Sequence, residues 1–134
     1  MKKKTFIVSI VFVLIICLLP LTAYASHRAI ANKAAVSITP TISISGKTVT
    51  YGASARFSIP SSGTITVYLE ERLNTSSGSW TRVATASKPF TSSLAPSISA
   101  TYTGRSGYSY RTYAVATDRT GSSVNGYSAV KSIP

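Results

Sequence analysis

Alternation of apolar and polar residues between positions 64 and 86 constrains the fold more than any other feature of the sequence. In the first half of this segment the apolar side chains share odd positions: Ile65, Val67, Leu69 and Leu73. This is the period of a half-buried strand. Residues 74–79 are turn formers, and extended-type sequence resumes at Trp80, the single tryptophan. The segment predicts a β-hairpin that needs a second sheet to cover its apolar face.

The hairpin also predicts a register, which follows from placing two large apolar residues opposite each other across the loop. With Leu73 opposite Trp80, the further pairs are Glu71 with Arg82, Leu69 with Ala84 and Val67 with Ala86. Opposite charges directly across two strands stabilise a sheet, so we expect Glu71 and Arg82 to form an ion pair near its rim.

Short alternating segments separated by Gly, Pro, Ser and Asn continue over residues 35–134. The predicted strands begin near Ala35, Val49, Thr64, Trp80, Ile98, Tyr108 and Val124. Residues 87–96 are rich in strand breakers and predict a long connection, while Gly52 predicts a bulge or bend. Without a helical period, the sequence predicts an all-β fold, a seven-stranded antiparallel immunoglobulin-like β-sandwich. A small barrel is the alternative.

Residues 1–25 have the pattern of a secretory signal peptide. Three lysines precede an apolar run from Phe6 to Leu19, and Ala23-Tyr24-Ala25 fits a cleavage site. The alternative is a retained membrane anchor, but a span needs roughly 20 apolar residues. We therefore expect cleavage after Ala25, membrane contact only before that step, and a secreted product. Residues 26–34 lack strand alternation and predict a flexible arm ahead of the domain.

Charge and cysteine content limit what the secreted product can be. The chain carries 14 Lys and Arg against three Asp and Glu, and three of the lysines and the one cysteine lie in residues 1–25. The remaining 109 residues keep 11 basic side chains, a net charge of +8. Such charge favours anionic partners through long-range attraction. Because no two basic residues adjoin one another there, solubilising charge is the favoured interpretation, and we expect no specific nucleic-acid site.

Reactive groups are scarce in this sequence. His27 is the only histidine and lies in the predicted arm, and the mature chain has no thiol. Glu70 and Glu71 are neighbours on a strand, so their side chains point to opposite faces and cannot act as a glycosidase pair. Three carboxylates without Asp-rich spacing do not form a calcium loop. We therefore predict no catalytic residue, no metal site and no cofactor.

Aromatic residues are the most informative candidates for binding. If Tyr110 and Thr112 face the core, then Arg111 and Tyr113 face outward beside Tyr127 or Val130 of the last strand. An exposed Tyr and Arg pair suits glycan stacking or contact with a protein. The predicted ligand-binding surface is therefore Arg111, Tyr113 and Tyr127. The opposite parity would remove this surface.

Residues 107–116, Gly-Tyr-Ser-Tyr-Arg-Thr-Tyr-Ala-Val-Ala, resemble the sixth strand of fibronectin type III and immunoglobulin-like domains. In those domains a tyrosine opens this strand, so the resemblance implies that Tyr108 or Tyr110 is the corner tyrosine. The Cys-Trp-Cys spacing of true immunoglobulin domains is missing. The Ser/Thr-rich strands and the Gly78-Ser79-Trp80 segment also resemble small secreted proteins of Gram-positive bacteria whose function is uncharacterised.

These observations predict a secreted, non-enzymatic β-sandwich, either released or held at the cell wall. Its expected partner is an anionic or glycan polymer of the cell envelope, or a surface protein. The alternative is a secreted cationic antimicrobial or toxin-like effector, for which small size and positive charge are the motives. A hydrolase is disfavoured because the acid and base groups it needs are scarce.

Overall fold

A computed structural model describes residues 35–75 and 77–134. These residues form an all-β fold, as the alternation predicts. The described residues contain eight strands: β1 Ala35–Ser45, β2 Thr48–Phe57, β3 Ser61–Leu73, β4 Thr81–Ser93, β5 Ser97–Thr103, β6 Tyr108–Asp118, β7 Ser123–Tyr127 and β8 Lys131–Ile133.

The strands form two antiparallel sheets. The first sheet has the order β1-β2-β5, and the second has the order β4-β3-β6-β7, with β8 also pairing with β6. Alternate side chains of each strand point into a common core, because the pleat sends neighbours to opposite faces. The largest fully buried side chains are Tyr110, Ile65, Leu69, Val49, Val67 and Thr112. The core thus receives side chains from both sheets.

The number of strands differs from the prediction of seven. The predicted last strand, which starts at Val124, is interrupted after Tyr127 and resumes as β8. Both pieces pair with β6, which is why one alternating pattern covers both. At the interruption, Ser128 donates its backbone N–H to the Thr112 carbonyl, and its hydroxyl accepts the Thr112 N–H. These hydrogen bonds keep the break attached to β6.

The predicted connection over residues 87–96 is wrong, because β4 continues through most of it. Pro89 lies within the strand, opposite Thr64 of β3. β4 is the edge strand of its sheet. A proline is tolerated there because only one side of an edge strand needs ladder hydrogen bonds.

The bulge predicted at Gly52 is also wrong. Gly52 lies in continuous register between Thr41 of β1 and Ser99 of β5. A Cβ at this position would lie 2.5 Å from the carbonyl oxygen of Ile98. Glycine is therefore required by a close approach of the neighbouring backbone, not by a change of register.

The predicted hairpin register is correct in one half and wrong in the other. Val67 pairs with Ala86 and Leu69 pairs with Ala84, as predicted, but the register then shifts between Leu69 and Glu70. After this bulge Arg82 pairs with Glu70 rather than with Glu71. Trp80 precedes β4 and has no ladder partner, so the predicted pairing with Leu73 is not formed.

The two tyrosines at the start of β6, Tyr108 and Tyr110, make different contacts. Its ring is fully buried, and its hydroxyl accepts a hydrogen bond of 2.8 Å from the backbone N–H of Arg105, five residues upstream. Tyr108 is half-buried and its ring lies under the Arg105 guanidinium, 4.2 Å from the ring centre. Of the two tyrosines it is Tyr110 that ties the start of β6 to the preceding loop.

The predicted signal peptide (1–25) and the predicted arm (26–34) lie outside the described residues. Within residues 35–75 and 77–134 there is no helix of the length and apolar character needed to cross a membrane.

Candidate functional site

The outward face of the second sheet brings the predicted site residues together. In β6 the even positions from Tyr110 to Ala116 are fully buried. The odd positions between them, including Arg111 and Tyr113, therefore face outward, which is the parity that the predicted surface requires. Tyr113 pairs with Tyr127 of β7 on one side and with Tyr68 of β3 on the other. Three tyrosines therefore stand side by side across three strands.

The three tyrosine rings pack against one another. The ring centres of Tyr68 and Tyr113 are 5.9 Å apart with planes inclined by 20°, and those of Tyr113 and Tyr127 are 4.7 Å apart at 32°. Tyr127 is 54% exposed, whereas the other two rings are half-buried. Tyr68 and Tyr113 are thus each packed against a neighbouring ring, and neither offers a free, flat ring face.

Arginine side chains cover the aromatic rings at both ends of this group. The Arg82 guanidinium lies 3.6 Å from the ring centre of Tyr68, and that of Arg111 lies 4.3 Å from the ring centre of Tyr127. Arg111 also lies 4.4 Å from the ring centre of Trp80, over which Arg72 stacks at 4.5 Å. Such stacking holds each guanidinium plane while its N–H edges remain able to donate.

One carboxylate lies among these arginines. Arg111 Nε donates to Glu70 Oε2 at 2.8 Å, and Arg82 Nη2 lies 4.0 Å from Glu70 Oε1. The bulge after Leu69 is what brings Arg82 opposite this glutamate. We call the whole group the arginine–aromatic cluster. Its members are Tyr68, Glu70, Arg72, Trp80, Arg82, Arg111, Tyr113 and Tyr127. With three arginines against one glutamate, its formal charge is +2.

The structure thus places Arg111, Tyr113 and Tyr127 together, but not as a freely exposed pair. Arg111 has a side chain that is 25% exposed and is held by Glu70 and two rings. The sequence interpretation missed the contribution of Arg72, Arg82 and Trp80. Position parity along β3 was a usable signal for Arg72, since Tyr68, Glu70 and Arg72 all share the even positions.

The outward face of the first sheet has a different chemistry. Hydroxyl side chains occupy its outward positions: Thr39, Thr41, Ser43, Ser45, Thr48, Thr50, Ser54, Ser97, Ser99, Thr101 and Thr103. Among the described residues of these three strands, the charged side chain on this face is Arg56, near one end. The ring-stacked arginines lie on the opposite side of the sandwich.

The carboxylates are placed in three separate environments. Glu70 faces outward in the cluster, whereas Glu71 faces inward at the end of the sandwich and forms an ion pair with Arg105. Asp118 Oδ1 accepts hydrogen bonds from the Thr120 N–H, the Thr120 hydroxyl and the Ser122 N–H. These bonds, led by that from the Thr120 hydroxyl, lower the pKa of Asp118 below its usual value. Each carboxylate has a structural role.

Metal-ligating side chains do not converge in the part of the chain that the structure describes. No group of three or more His, Cys, Asp or Glu residues there could hold a metal ion.

Sequence comparisons identify no family for this chain. No protein-family model matches it, and a search of curated proteins finds no match. Among solved structures, the chain is similar to wild type OgpA from Akkermansia muciniphila, with 10% sequence identity and a TM-score of 0.46. The similarity covers 69% of this chain and 28% of OgpA, so the chain spans well under half of that protein.

Proposed function

We propose that this protein is a secreted, non-enzymatic module that binds an anionic polymer of the cell envelope through the arginine–aromatic cluster. The observation that carries the proposal is the presence of three ring-stacked arginines against one carboxylate on one open sheet face. A guanidinium whose plane is fixed loses less freedom when it binds carboxylate or phosphate oxygens. The face is thus suited to repeated anionic groups.

Because the faces of the tyrosine rings are covered, recognition of charge is favoured over stacking of a sugar. A sugar that stacks on tyrosine needs an open ring face, but Tyr113 lies between two other tyrosines. Tyr68 and Tyr127 each carry a guanidinium over the ring. We therefore assign the rings to holding the arginines, and the arginines to contacting the partner.

The order of the strands supports an immunoglobulin-like assignment of the module. In immunoglobulin sandwiches the first, second and fifth strands share one sheet, and the third and sixth share the other. The sheets β1-β2-β5 and β4-β3-β6-β7 have this distribution, with β4 added to the second sheet. The buried Tyr110 and its bond to the Arg105 backbone support the same assignment. Many cell-surface domains share this sandwich architecture.

The test compares an anionic polymer with the same backbone after its charges are removed, and with an unrelated neutral polymer. The purified protein is applied to immobilised polygalacturonate, to the same polymer with its carboxylates methyl-esterified, and to neutral dextran. The proposal predicts retention on polygalacturonate, weak retention on the other two, and loss of retention as salt screens the charges. Equal retention on the esterified polymer would contradict it, because binding would then not depend on the carboxylates.

Two double variants, each of which removes two positive charges, distinguish binding by the cluster from binding by the overall net charge. Arg72→Gln with Arg82→Gln removes two positive charges from the cluster, and Arg56→Gln with Arg119→Gln removes two from elsewhere on the surface. We expect the first pair to weaken binding about tenfold, a difference of about 1.4 kcal/mol, and the second to weaken it much less. Equal losses would assign binding to overall charge and reject the cluster as the site.

A further inference from the structure

Of the edge strands that the structure describes, β5 is the one that lacks the usual protection against pairing with a further strand. β4 carries Arg82, Lys88 and Pro89, and charged side chains and proline are common protections of a sheet edge. β7 and β8 are short, and β7 lies beside β1, since the Pro40 side chain is next to Gly126. The sequence of β5 is Ser-Ile-Ser-Ala-Thr-Tyr-Thr, without charge, proline, glycine or register shift.

The hydrogen bonds at the two ends of β5 show which backbone groups point away from β2. Gly104, directly after β5, donates its N–H to the Lys47 carbonyl at 2.7 Å, and Pro96, directly before β5, accepts from the Ala55 N–H at 3.0 Å. Backbone hydrogen bonds of an antiparallel pair fall on alternate residues. The even residues of β5 therefore bond to β2, and the odd residues direct their N–H and C=O groups away from it. These odd residues are Ser97, Ser99, Thr101 and Thr103.

One of these backbone groups has a partner on the other sheet. Lys88 Nζ, from β4, donates to the Ser97 carbonyl at 3.4 Å. Within residues 35–75 and 77–134, β2 is the single ladder neighbour of β5. The N–H and C=O groups of Ser99, Thr101 and Thr103 thus have no ladder partner there. A row of such groups is a template for an added strand.

The backbone of β5 is complementary to itself in an antiparallel arrangement. With Ala100 opposite Ala100 of a second copy, Ser99 lies opposite Thr101. In the same register, Ser97 lies opposite Thr103. Residues that point away from β2 then face residues of the same kind, and each opposed pair can exchange both backbone hydrogen bonds. The Ser97 carbonyl joins this ladder when Lys88 releases it.

The side chains also match in this register. Ile98 lies opposite Tyr102 on the core-facing side, where both are half-buried. On the outer side, hydroxyl residues lie opposite hydroxyl residues. Aromatic residues paired with β-branched residues, and pairs of Ser and Thr, stabilise neighbouring strands. No charged residue of β5 is brought against a like charge, because the strand contains none.

We propose that the protein forms a two-fold symmetric dimer in which β5 pairs with β5 of a second copy about Ala100. The two three-stranded sheets join into one continuous sheet. Assembly stops at the dimer, because the pairing uses the open edge of both copies.

The dimer has a consequence for polymer binding. The two-fold axis of an antiparallel edge pair runs perpendicular to the sheet, so both arginine–aromatic clusters face the same side. A polymer bound to one cluster meets the second at a raised effective concentration. This consequence rests on the proposed function, whereas the dimer itself does not.

Cross-linking through an introduced cysteine tests the register. All variants carry Cys17→Ser, because Cys17 is the only cysteine of the chain. Ala100→Cys places two thiols across the axis, with Cα atoms about 4.5 Å apart, which suits a disulfide. Ser97→Cys is the matched control, since the two copies of that position lie about 20 Å apart along the strands.

Mild oxidation should give a covalent dimer with Ala100→Cys and leave Ser97→Cys monomeric. The products are separated on a non-reducing gel. Equal cross-linking of the two variants, or none with Ala100→Cys, would overturn the proposal.

Sedimentation equilibrium tests dimerisation without an added thiol. One strand pair is a small interface, so we expect a dissociation constant on the order of 0.1 mM. Thr101→Pro removes an N–H that points away from β2, so the ladder with β2 and the circular dichroism spectrum should persist while the dimer is lost. Thr101→Val keeps this N–H and should still dimerise.

A wild-type mass of one chain at about 1 mM, or undiminished dimerisation of Thr101→Pro, would overturn the proposal. Species larger than a dimer would do the same, because they require a second open edge. No polymer is present in either experiment, so failure of the dimer is distinguished from failure of the proposed function.

Discussion

Individual residues fix the corners of this sandwich through single, well-placed hydrogen bonds. Tyr110 is the clearest case, since its fully buried hydroxyl accepts the Arg105 backbone N–H beside a carboxylate. Gly104 makes room for three packed side chains. A Cβ there would lie 2.6 Å from Ile133 Cδ1, 2.9 Å from Val49 Cγ2 and 3.2 Å from Tyr110 Cζ. The loop before β6 thus passes close to the core, of which the Tyr110 ring is one part.

Tyr110→Phe should destabilise the protein without changing its fold. The variant keeps the ring but leaves the Arg105 N–H without its acceptor, and we expect a loss of about 1–3 kcal/mol in the free energy of unfolding. Tyr127→Phe is the matched control, because its ring is 54% exposed, and should change stability by less than about 0.5 kcal/mol. Denaturant unfolding measures both, and equal effects would contradict the role assigned to Tyr110.

Protonation of Asp118 should make the stability of the loop between β6 and β7 depend on pH. Its lowered pKa means that the unfolded chain takes up this proton more readily than the folded one. The stabilisation is complete above the unfolded-state pKa of about 3.9 and is lost as the pH falls through the folded-state value. Acid should therefore loosen this loop.

Asp118→Asn should make the free energy of unfolding less dependent on pH between about 5 and 2. The amide cannot change its charge, although its oxygen can still accept the bonds from Thr120 and Ser122. Unfolding curves at a series of pH values compare the variant with the wild-type protein. An unchanged acid dependence would show that Asp118 does not contribute to it.

Within the strands, the sequence predicted alternation, but it left the parity of β6 open and predicted only half of the hairpin register. Of the two parities in β6, the structure has the one that buries Tyr110 and turns Arg111 outward. No glycine or proline marks the position of the bulge between Leu69 and Glu70. Two adjacent glutamates are also equivalent partners for Arg82 as far as the sequence shows. A sequence pattern therefore cannot decide which glutamate receives the arginine, although the backbone register does.

Glu70 of β3 forms ion pairs with Arg111 of β6 and Arg82 of β4. The two ion pairs should differ in strength. A double-mutant cycle with Glu70→Gln and Arg111→Gln should give a coupling of about 0.5–1.5 kcal/mol, since the pair is short and largely covered. The cycle with Arg82→Gln should give less than about 0.5 kcal/mol, because Arg82 is 48% exposed and 4.0 Å away. Equal couplings would contradict the observed geometry.

At the scale of the whole molecule, the sandwich presents two chemically different outer faces. The first sheet is covered with serine and threonine, while the second carries ring-stacked arginines around one glutamate. Composition predicted the positive charge but suggested that it is scattered for solubility. Strands adjacent in space collect Arg72, Arg82 and Arg111 from distant positions in the sequence, which no search for adjacent basic residues can detect.

The measurement that tests polymer binding by this face most directly is a resonance titration of the ¹⁵N-labelled protein with an oligogalacturonate. The largest shifts should occur at the Nε–H groups of Arg72, Arg82 and Arg111 and at the Tyr127 backbone, and added salt should reverse them. The first sheet should remain unchanged. Shifts spread evenly over all basic residues, with Arg56 and Arg119 affected as much as Arg111, would contradict the assignment of binding to the arginine–aromatic cluster.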